Sequence, residues 1–150
     1  MRPFRRMVVL VDFSAHSAAA VRYATDLSRR YEAALDLLHV FQPTTYVLPE
    51  GYVVPTASQL EAVLISLEAQ LAETKRAAEQ AGARNVQTKL LQGGVATEIL
   101  RFAKERECDL IIMGTHGRTG LKHMLLGSVA EYIVRVAPTP VLTVRAPAAL

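Results

Sequence analysis

Cysteine is nearly absent from this sequence, and its scarcity excludes a disulfide-based scaffold. Cys108 is the single cysteine among 150 residues, so no disulfide can form within the chain. A lone thiol fits a reducing compartment, and we expect Cys108 to act as a small apolar residue just before a strand. The chain needs no covalent staple, because a domain of this length buries roughly 70% of the surface that its unfolded chain exposes.

Long hydrophobic runs are also missing. The N-terminal segment MRPFRRMVVLVDFS briefly resembles a secretion signal, since arginines precede apolar residues. Its apolar run, residues 7–11, is too short for the hydrophobic region of a signal peptide, and no small-residue cleavage site follows. No run approaches the roughly 20 apolar residues of a membrane span. We therefore expect a cytoplasmic protein with no membrane partner.

The sequence lacks the clusters that mark nucleic-acid and zinc sites. Aromatic residues make up 6% of the chain, with no tryptophan, and they form no stacking pattern. The net charge is +3, and its basic residues are scattered rather than gathered into an arm. The four histidines have no metal-ligand spacing with Cys108. We expect neither a nucleic-acid partner nor a structural zinc ion.

Short β-branched runs alternate with longer amphipathic stretches along the whole chain. The runs are too short for helices and predict buried strands. The predicted strands are residues 7–12, 35–41, 86–91, 109–113 and 140–145. The predicted helices are residues 14–32, 56–82, 94–107 and 128–136, and residues 42–55 are expected to form one long loop. In the second helix Thr56 and Gln59 form a capping-box pattern.

The second helix carries an apolar stripe that we expect to pack into the core. Its members are Leu60, Val63, Leu64, Leu67 and Leu71. Strands that are separated by helices require crossover connections, so the sheet should be parallel and covered on both faces. The prediction is one doubly wound, Rossmann-like α/β domain over residues 1–150, with five parallel strands. Such sheets bind ligands beyond the carboxyl ends of their strands, at the switch point.

A glycine-rich segment, MGTHGRTGLKHMLLGS at residues 113–128, connects the fourth strand to the last helix. Gly114, Gly117 and Gly127 let the backbone turn sharply and approach a ligand, and successive N–H groups there can form an anion nest. Ser128 begins a helix, where free N–H groups and the helix dipole favour a phosphate. Arg118 adds positive charge, as do His116, Lys122 and His123. The spacing is not that of a Walker P-loop, and we interpret the segment as a different kind of phosphate site.

These motifs resemble the universal stress protein family, specifically its ATP-binding branch. The similarity includes VVLVDFS in the first strand, LLHVF in the second and residues 109–145 at the end of the chain. The family motif G-2x-G-9x-G-[ST] is matched by Gly114, Gly117, Gly127 and Ser128. The resemblance implies ATP, with magnesium or another divalent cation, and a homodimer formed through the last strand, where Val141, Leu142 and Val144 are apolar.

The resemblance also implies roles for individual residues. Asp12 would lie near the ribose and adenine, the backbone of Val40 would read the adenine, and Met113 would line the pocket. The glycine-rich segment would hold the phosphates. The predicted binding residues are Asp12, Val40, Met113, Gly114, His116, Gly117, Arg118, Gly127, Ser128 and Val129.

Several of these residues also allow a purely structural interpretation. Ser128 and Glu131 form an S-x-x-E pattern, so Ser128 could simply cap its own helix. Asp12 could be a turn residue or a helix cap, and His116 and Arg118 could be solvated loop residues. We expect His39, inside a strand, to be packed and hydrogen-bonded rather than a ligand.

Three functions remain open at this point. The preferred one is an ATP-dependent stress-response regulator or switch, in which ATP orders the loop at residues 114–128 and changes the surface shown to a protein partner that the sequence does not identify. The second is a slow ATP hydrolase, which would need a group that positions water. The sequence shows neither paired carboxylates nor an obvious base in the loop. The third is a structural dimer with a vestigial site.

Overall fold

The computed structural model describes residues 3–43, 46–117 and 125–147. Strands and helices alternate as predicted, with one additional hairpin. The elements in chain order are β1 (Arg6–Leu10), α1 (Ala15–Tyr31), β2 (Ala34–Phe41), β3 (Tyr46–Leu48), β4 (Gly51–Val53), α2 (Ala57–Gln80), β5 (Arg84–Gln92), α3 (Val95–Glu105), β6 (Leu110–Gly114), α4 (Ser128–Val136) and β7 (Val141–Val144).

Five strands form one parallel sheet in the order β5-β2-β1-β6-β7. Alternate side chains of each strand enter different cores. Val9 and Leu37 pack with α1 and α2 on one face, whereas Val8 and Leu38 pack with α3 and α4 on the other. This alternation follows from the period of two in a strand. The predicted fold class, a Rossmann-like α/β sheet covered on both faces, is confirmed.

The predicted loop at residues 42–55 is wrong, because it contains the hairpin β3–β4. Val47 pairs with Tyr52 and Leu48 with Gly51 in antiparallel register. Pro49 opens the turn, and Gly51 has a φ of 128°, which glycine adopts without a steric penalty. The β-branched and aromatic residues on both sides of this turn were a hairpin signal.

Helix α2 corrects the prediction that its whole apolar stripe is core. The capping box is present, since Thr56 Oγ1 accepts from the Gln59 N–H at 3.2 Å and Gln59 Oε1 accepts from the Thr56 N–H at 2.9 Å. The residues of α2 that are buried, Leu71 and Ala78, lie in its second half. Val63 is 42% exposed, and three further stripe positions are only partly covered: Leu60, Leu64 and Leu67. The described part of the chain therefore fully buries side chains of this helix only in its second half.

Cys108 has the structural role that we expected. It is buried just before β6 and packs in the cluster beneath α3 and α4. Burial, reinforced by the nearby Asp36 carboxylate, raises the pKa of the Cys108 thiol to about 12. Within the described residues, no helix is long and apolar enough to cross a membrane.

Candidate functional site

A pocket of about 390 Å³ opens at the carboxyl ends of the parallel strands. In the sheet, β1 lies between β2 and β6. The strands β2 and β5 are therefore added on one side of β1, and the later strands β6 and β7 are added on its other side. The pocket is lined by residues that follow β1, by the end of β2 and by the segment after β6. This is the topological switch point, where open α/β sheets bind ligands.

The structure brings the predicted binding residues together around this pocket. Arg118 lies outside the described residues, as do Lys122 and His123. All the others line the cavity: Asp12, Val40, Met113, Gly114, His116, Gly117, Gly127, Ser128 and Val129. The lining also includes residues that the sequence prediction had not assigned to the site, among them Ser17, Val95 and Thr115.

Asp12 follows β1 and combines a turn role with a free carboxylate oxygen. Its Oδ1 accepts from the Ser14 N–H at 2.9 Å, and its own N–H donates to Ser17 Oγ at 3.0 Å. Ser14, not Asp12, caps α1, since Ser14 Oγ accepts from the Ser17 N–H at 3.1 Å. Asp12 Oδ2 lies beside Gly117, since a Cβ at Gly117 would lie 3.0 Å from it. One carboxylate oxygen thus holds the turn, while the other lies next to Gly117 in the pocket lining.

The turn after Asp12 is strained at Phe13, which has a φ of 64°. Bulky residues rarely adopt this left-handed conformation, and it costs on the order of 1–3 kcal/mol. The Phe13 ring packs against the His39 ring with centroids 5.1 Å apart. His39 Nδ1 lies 2.6 Å from the Val11 carbonyl oxygen, which agrees with the expected packed and hydrogen-bonded histidine. These contacts hold the strained turn that positions Asp12.

Two of the motif glycines, Gly114 and Gly127, are required for different structural reasons. A Cβ at Gly114 would lie 2.7 Å from His16 Cβ and 2.9 Å from its carbonyl carbon, so Gly114 is needed for close packing against α1. A Cβ at Gly127 would lie 3.3 Å from the Thr115 carbonyl oxygen, on the pocket wall. Gly127 has an ordinary extended backbone, with a φ of −68°. Its role is therefore close approach and not an unusual backbone angle.

Helix α4 begins at the pocket without a side-chain cap. Its N-cap is Gly127, and Ser128 is the first helical residue. The alternative in which Ser128 and Glu131 form a capping box is therefore wrong, because Ser128 lies one position too late. The first-turn N–H groups of a helix have no partner within it, and Ser128, Val129 and Ala130 all line the pocket. The positive end of the α4 dipole consequently faces the cavity.

Thr115, between two motif glycines, is buried and joins several elements. Its N–H donates to the Val144 carbonyl oxygen at 2.9 Å, and its own carbonyl accepts from the Gly127 N–H at 2.6 Å. Its Oγ1 lies 3.1 Å from His116 Nδ1. A polar residue directly after a buried strand was the sequence signal for it.

The described residues offer little to hold a metal on their own. None of their His, Cys, Asp and Glu side chains form a group of three or more that could bind an ion. Asp12 supplies the carboxylate of the described pocket lining. Mg²⁺ is commonly held by one or two carboxylates together with substrate phosphates, so a cation here would have to share the ligand's phosphates.

Solved structures of known proteins have the same fold as this chain. A solved universal stress protein, UspA from Lactobacillus plantarum, superimposes with a TM-score of 0.78 at 25% identity, covering 97% of this chain and 100% of that one. A universal stress protein in complex with cAMP gives a TM-score of 0.75 at 24% identity, covering 97% and 100%. Another, from Archaeoglobus fulgidus in complex with dAMP, gives 0.69 at 19% identity, covering 95% and 99%.

Sequence similarity extends over the same length. A universal stress protein of Methanocaldococcus jannaschii is 34% identical over 146 residues, which cover 96% of this chain and 84% of that protein. The family model for universal stress proteins matches residues 3–145. Because nearly the whole chain and its switch-point pocket are included in that match, this chain belongs to the universal stress protein family.

Proposed function

We propose that the switch-point pocket binds ATP and that the protein acts as a nucleotide-dependent regulator. The observation that carries the proposal is the uncapped start of α4 opening into a cavity that Asp12 also faces. A helix N-terminus attracts phosphate through its free N–H groups and its dipole. A carboxylate repels phosphate but accepts hydrogen bonds from sugar hydroxyls. The pocket thus offers separate places for the two ends of a nucleotide.

The proposed pose follows this division. The adenine lies at the end of β2, beside Val40 and Met113, which are buried and apolar. The ribose lies at Asp12 Oδ2, beside Gly117, and the phosphates lie farther along, at the first turn of α4. A cavity of about 390 Å³ falls within the range of small-molecule sites, roughly 300–1,000 Å³. Magnesium would be held by the phosphates, with Asp12 as the nearest protein carboxylate.

Two solved proteins with this fold support an adenine nucleotide. Their complexes contain cAMP and dAMP, which share an adenine and a single phosphate. At 24% and 19% identity these structures show only that this chain has the same fold. The choice of ATP therefore depends on the match of the glycine motif and on the open approach to α4, and it requires a direct test.

The direct test is to identify the nucleotide that the purified protein carries. The protein is denatured, and the released small molecules are identified by mass spectrometry. We expect ATP. ADP would favour the hydrolase alternative, and no nucleotide, together with no heat signal on titration with ATP and magnesium, would refute the proposal. Titration with GTP serves as the matched control, since it changes only the base.

Hydrolysis should be too slow to be a metabolic activity. Asp12 is the carboxylate of the described lining; its Oδ1 accepts from the Ser14 N–H, and the proposed pose assigns its Oδ2 to the ribose. A hydrolase needs a group free to position water at the terminal phosphate. We expect fewer than about one turnover per minute, measured as phosphate release. Faster turnover that disappears in a Gly117→Val variant would establish the enzyme instead.

We also propose a homodimer formed through β7. This strand is at the edge of the sheet, and its Val141 and Leu142 are only partly buried. The carbonyl oxygens of Pro140 and Val144 accept hydrogen bonds from the strand side of β6. Because backbone groups alternate sides along a strand, the carbonyl oxygens of Val141 and Thr143 face the open edge of the sheet. An unpaired edge of high β-propensity favours strand pairing. Sedimentation at micromolar concentration should show a dimer, and a monomer would contradict the proposal.

A further inference from the structure

We propose that Thr115 and His16 couple the nucleotide pocket to the edge strand β7, so that nucleotide binding tightens pairing through that strand. The inference deepens the proposed function and rests on it. It assigns a role to His16, which is outside the pocket lining and outside the glycine motif. The argument depends on hydrogen bonds that connect the phosphate side of the pocket with the end of β7.

Thr115 connects both sides through its backbone. Its carbonyl accepts from the N–H of Gly127, the residue that precedes the uncapped first turn of α4. Its N–H donates to the carbonyl of Val144, the last residue of β7. Thr115 is 7% exposed, so these bonds are largely shielded from water. Any displacement of Gly127 is therefore transmitted to β7 through one residue.

His16 makes the second connection. Its Nδ1 accepts from the Ala146 N–H at 2.9 Å, two residues beyond the end of β7. An Nδ1 that accepts a hydrogen bond carries no proton, so the ring proton is on Nε2. The same Nδ1 lies 3.4 Å from Thr115 Oγ1, and the ring lies 5.3 Å from the ring of His116 in the pocket wall.

Hydrogen bonds hold the carboxyl end of β7 at two alternate positions. Val144 is held by Thr115 and Ala146 by His16, both on the side of β7 that faces the sheet. The opposite edge of the strand, at Val141 and Thr143, is the edge proposed to pair. Any disorder at the end of β7 must be lost before a second strand can pair with it.

A phosphate bound at the first turn of α4 would restrain Gly127 and the Thr115 bond that depends on it. If nucleotide binding already orders this part of the protein, the protein loses less conformational entropy when the dimer forms. This gives positive cooperativity without a large structural change. Coupling of this kind typically changes affinity by roughly 5–150-fold, and it is reciprocal. We expect ATP with magnesium to tighten the dimer at least about fivefold.

The test compares two pairs of matched variants. His16→Asn retains an amide oxygen near the position of Nδ1, whereas His16→Leu keeps a similar bulk without an acceptor. Ala146→Ser retains the N–H that donates to His16, whereas Ala146→Pro removes it. For each protein the dimer dissociation constant is measured by sedimentation with and without ATP and magnesium, and the ATP dissociation constant by calorimetry. Circular dichroism shows whether each variant folds.

We expect His16→Asn and Ala146→Ser to retain the coupling, and His16→Leu and Ala146→Pro to lose most of it. Equal coupling in all four variants would overturn the inference, because the hydrogen bond between His16 and Ala146 would then not carry it. If the parent binds ATP and dimerises with the same constant in both conditions, the coupling is wrong while the proposed function stands. If the parent does not bind ATP, both fail. Ala146→Pro keeps the test decisive should His16→Leu not fold.

Discussion

The sharpest test of the phosphate position is substitution of Gly127. A Cβ there would lie 3.3 Å from the Thr115 carbonyl oxygen and 3.4 Å from His116 Cα, closer than most such contacts. Alanine can be accommodated if this backbone moves by a few tenths of an ångström. Valine adds two more methyl groups. A side chain at this helix entrance also obstructs the approach of the proposed phosphates to the first turn of α4. We therefore expect ATP affinity to fall about fivefold in Gly127→Ala and about 100-fold in Gly127→Val, which corresponds to roughly 1 and 3 kcal/mol.

Gly94→Ala is the matched control for Gly127→Ala. Gly94 is also a glycine N-cap without a side-chain cap, at the start of α3, and a Cβ there would meet Thr97 Oγ1 at an ordinary 3.6 Å. Replacing an N-cap glycine with alanine should reduce stability in both proteins, and more at Gly127, where the Cβ contact is closer. Only the Gly127 variant should weaken ATP binding by more than about twofold. Calorimetric titration measures affinity and thermal unfolding measures stability. Unchanged ATP affinity in Gly127→Val, or an equal loss in Gly94→Ala, would refute the placement of the phosphates.

Three further predictions test the surrounding structure. Ser128→Ala should leave stability within about 0.5 kcal/mol, because Gly127 is the N-cap, yet lower ATP affinity about tenfold by removing a hydroxyl beside the phosphates; equal affinity would exclude that contact. Glu32→Gly should raise the free energy of unfolding, measured in urea, by about 0.5–1 kcal/mol, because Glu32 ends α1 in the left-handed conformation with a φ of 53°. The control Glu68→Gly lies inside α2, where glycine is a poor helix former, and should lower that free energy by about 1 kcal/mol. Cys108 should resist alkylation at pH 8 until the protein unfolds, because burial raises the pKa of its thiol to about 12; as the unfolded thiol ionises first, stability should fall as pH rises from about 9 towards 12. Fast alkylation of the folded protein would contradict this.

The strand and helix pattern was readable from the sequence because it depends on local periodicity. Apolar runs such as MVVLV and DLIIM are too short for helices, and the helices between them require parallel crossovers. The hairpin β3–β4 does not follow from the same reasoning, because the prolines and the glycine of residues 42–55 are typical of an irregular loop as well as of a hairpin turn. The first half of α2 was assigned to the core because periodicity shows which face is apolar, and not whether anything covers that face.

The candidate site was likewise predictable from the sequence only in part. The spacing of Gly114, Gly117, Gly127 and Ser128 is a property of the sequence, and it predicted a phosphate site between a strand and a helix. Whether Ser128 capped its helix depended on where α4 begins, a shift of one residue that periodicity cannot resolve. Only the fold places Asp12 Oδ2 beside Gly117.

The sequence alone therefore determined the fold class, the order of the main elements and the segment that carries the glycine motif, because each depends on residues close together in the chain. The tertiary structure decided which distant residues meet. Gly114 packs against His16, and Thr115 joins Gly127 to Val144 through backbone hydrogen bonds. Such contacts depend on how the crossovers stack strands side by side. Backbone groups are the same in every residue except proline, so no side-chain pattern could reveal which of them would pair.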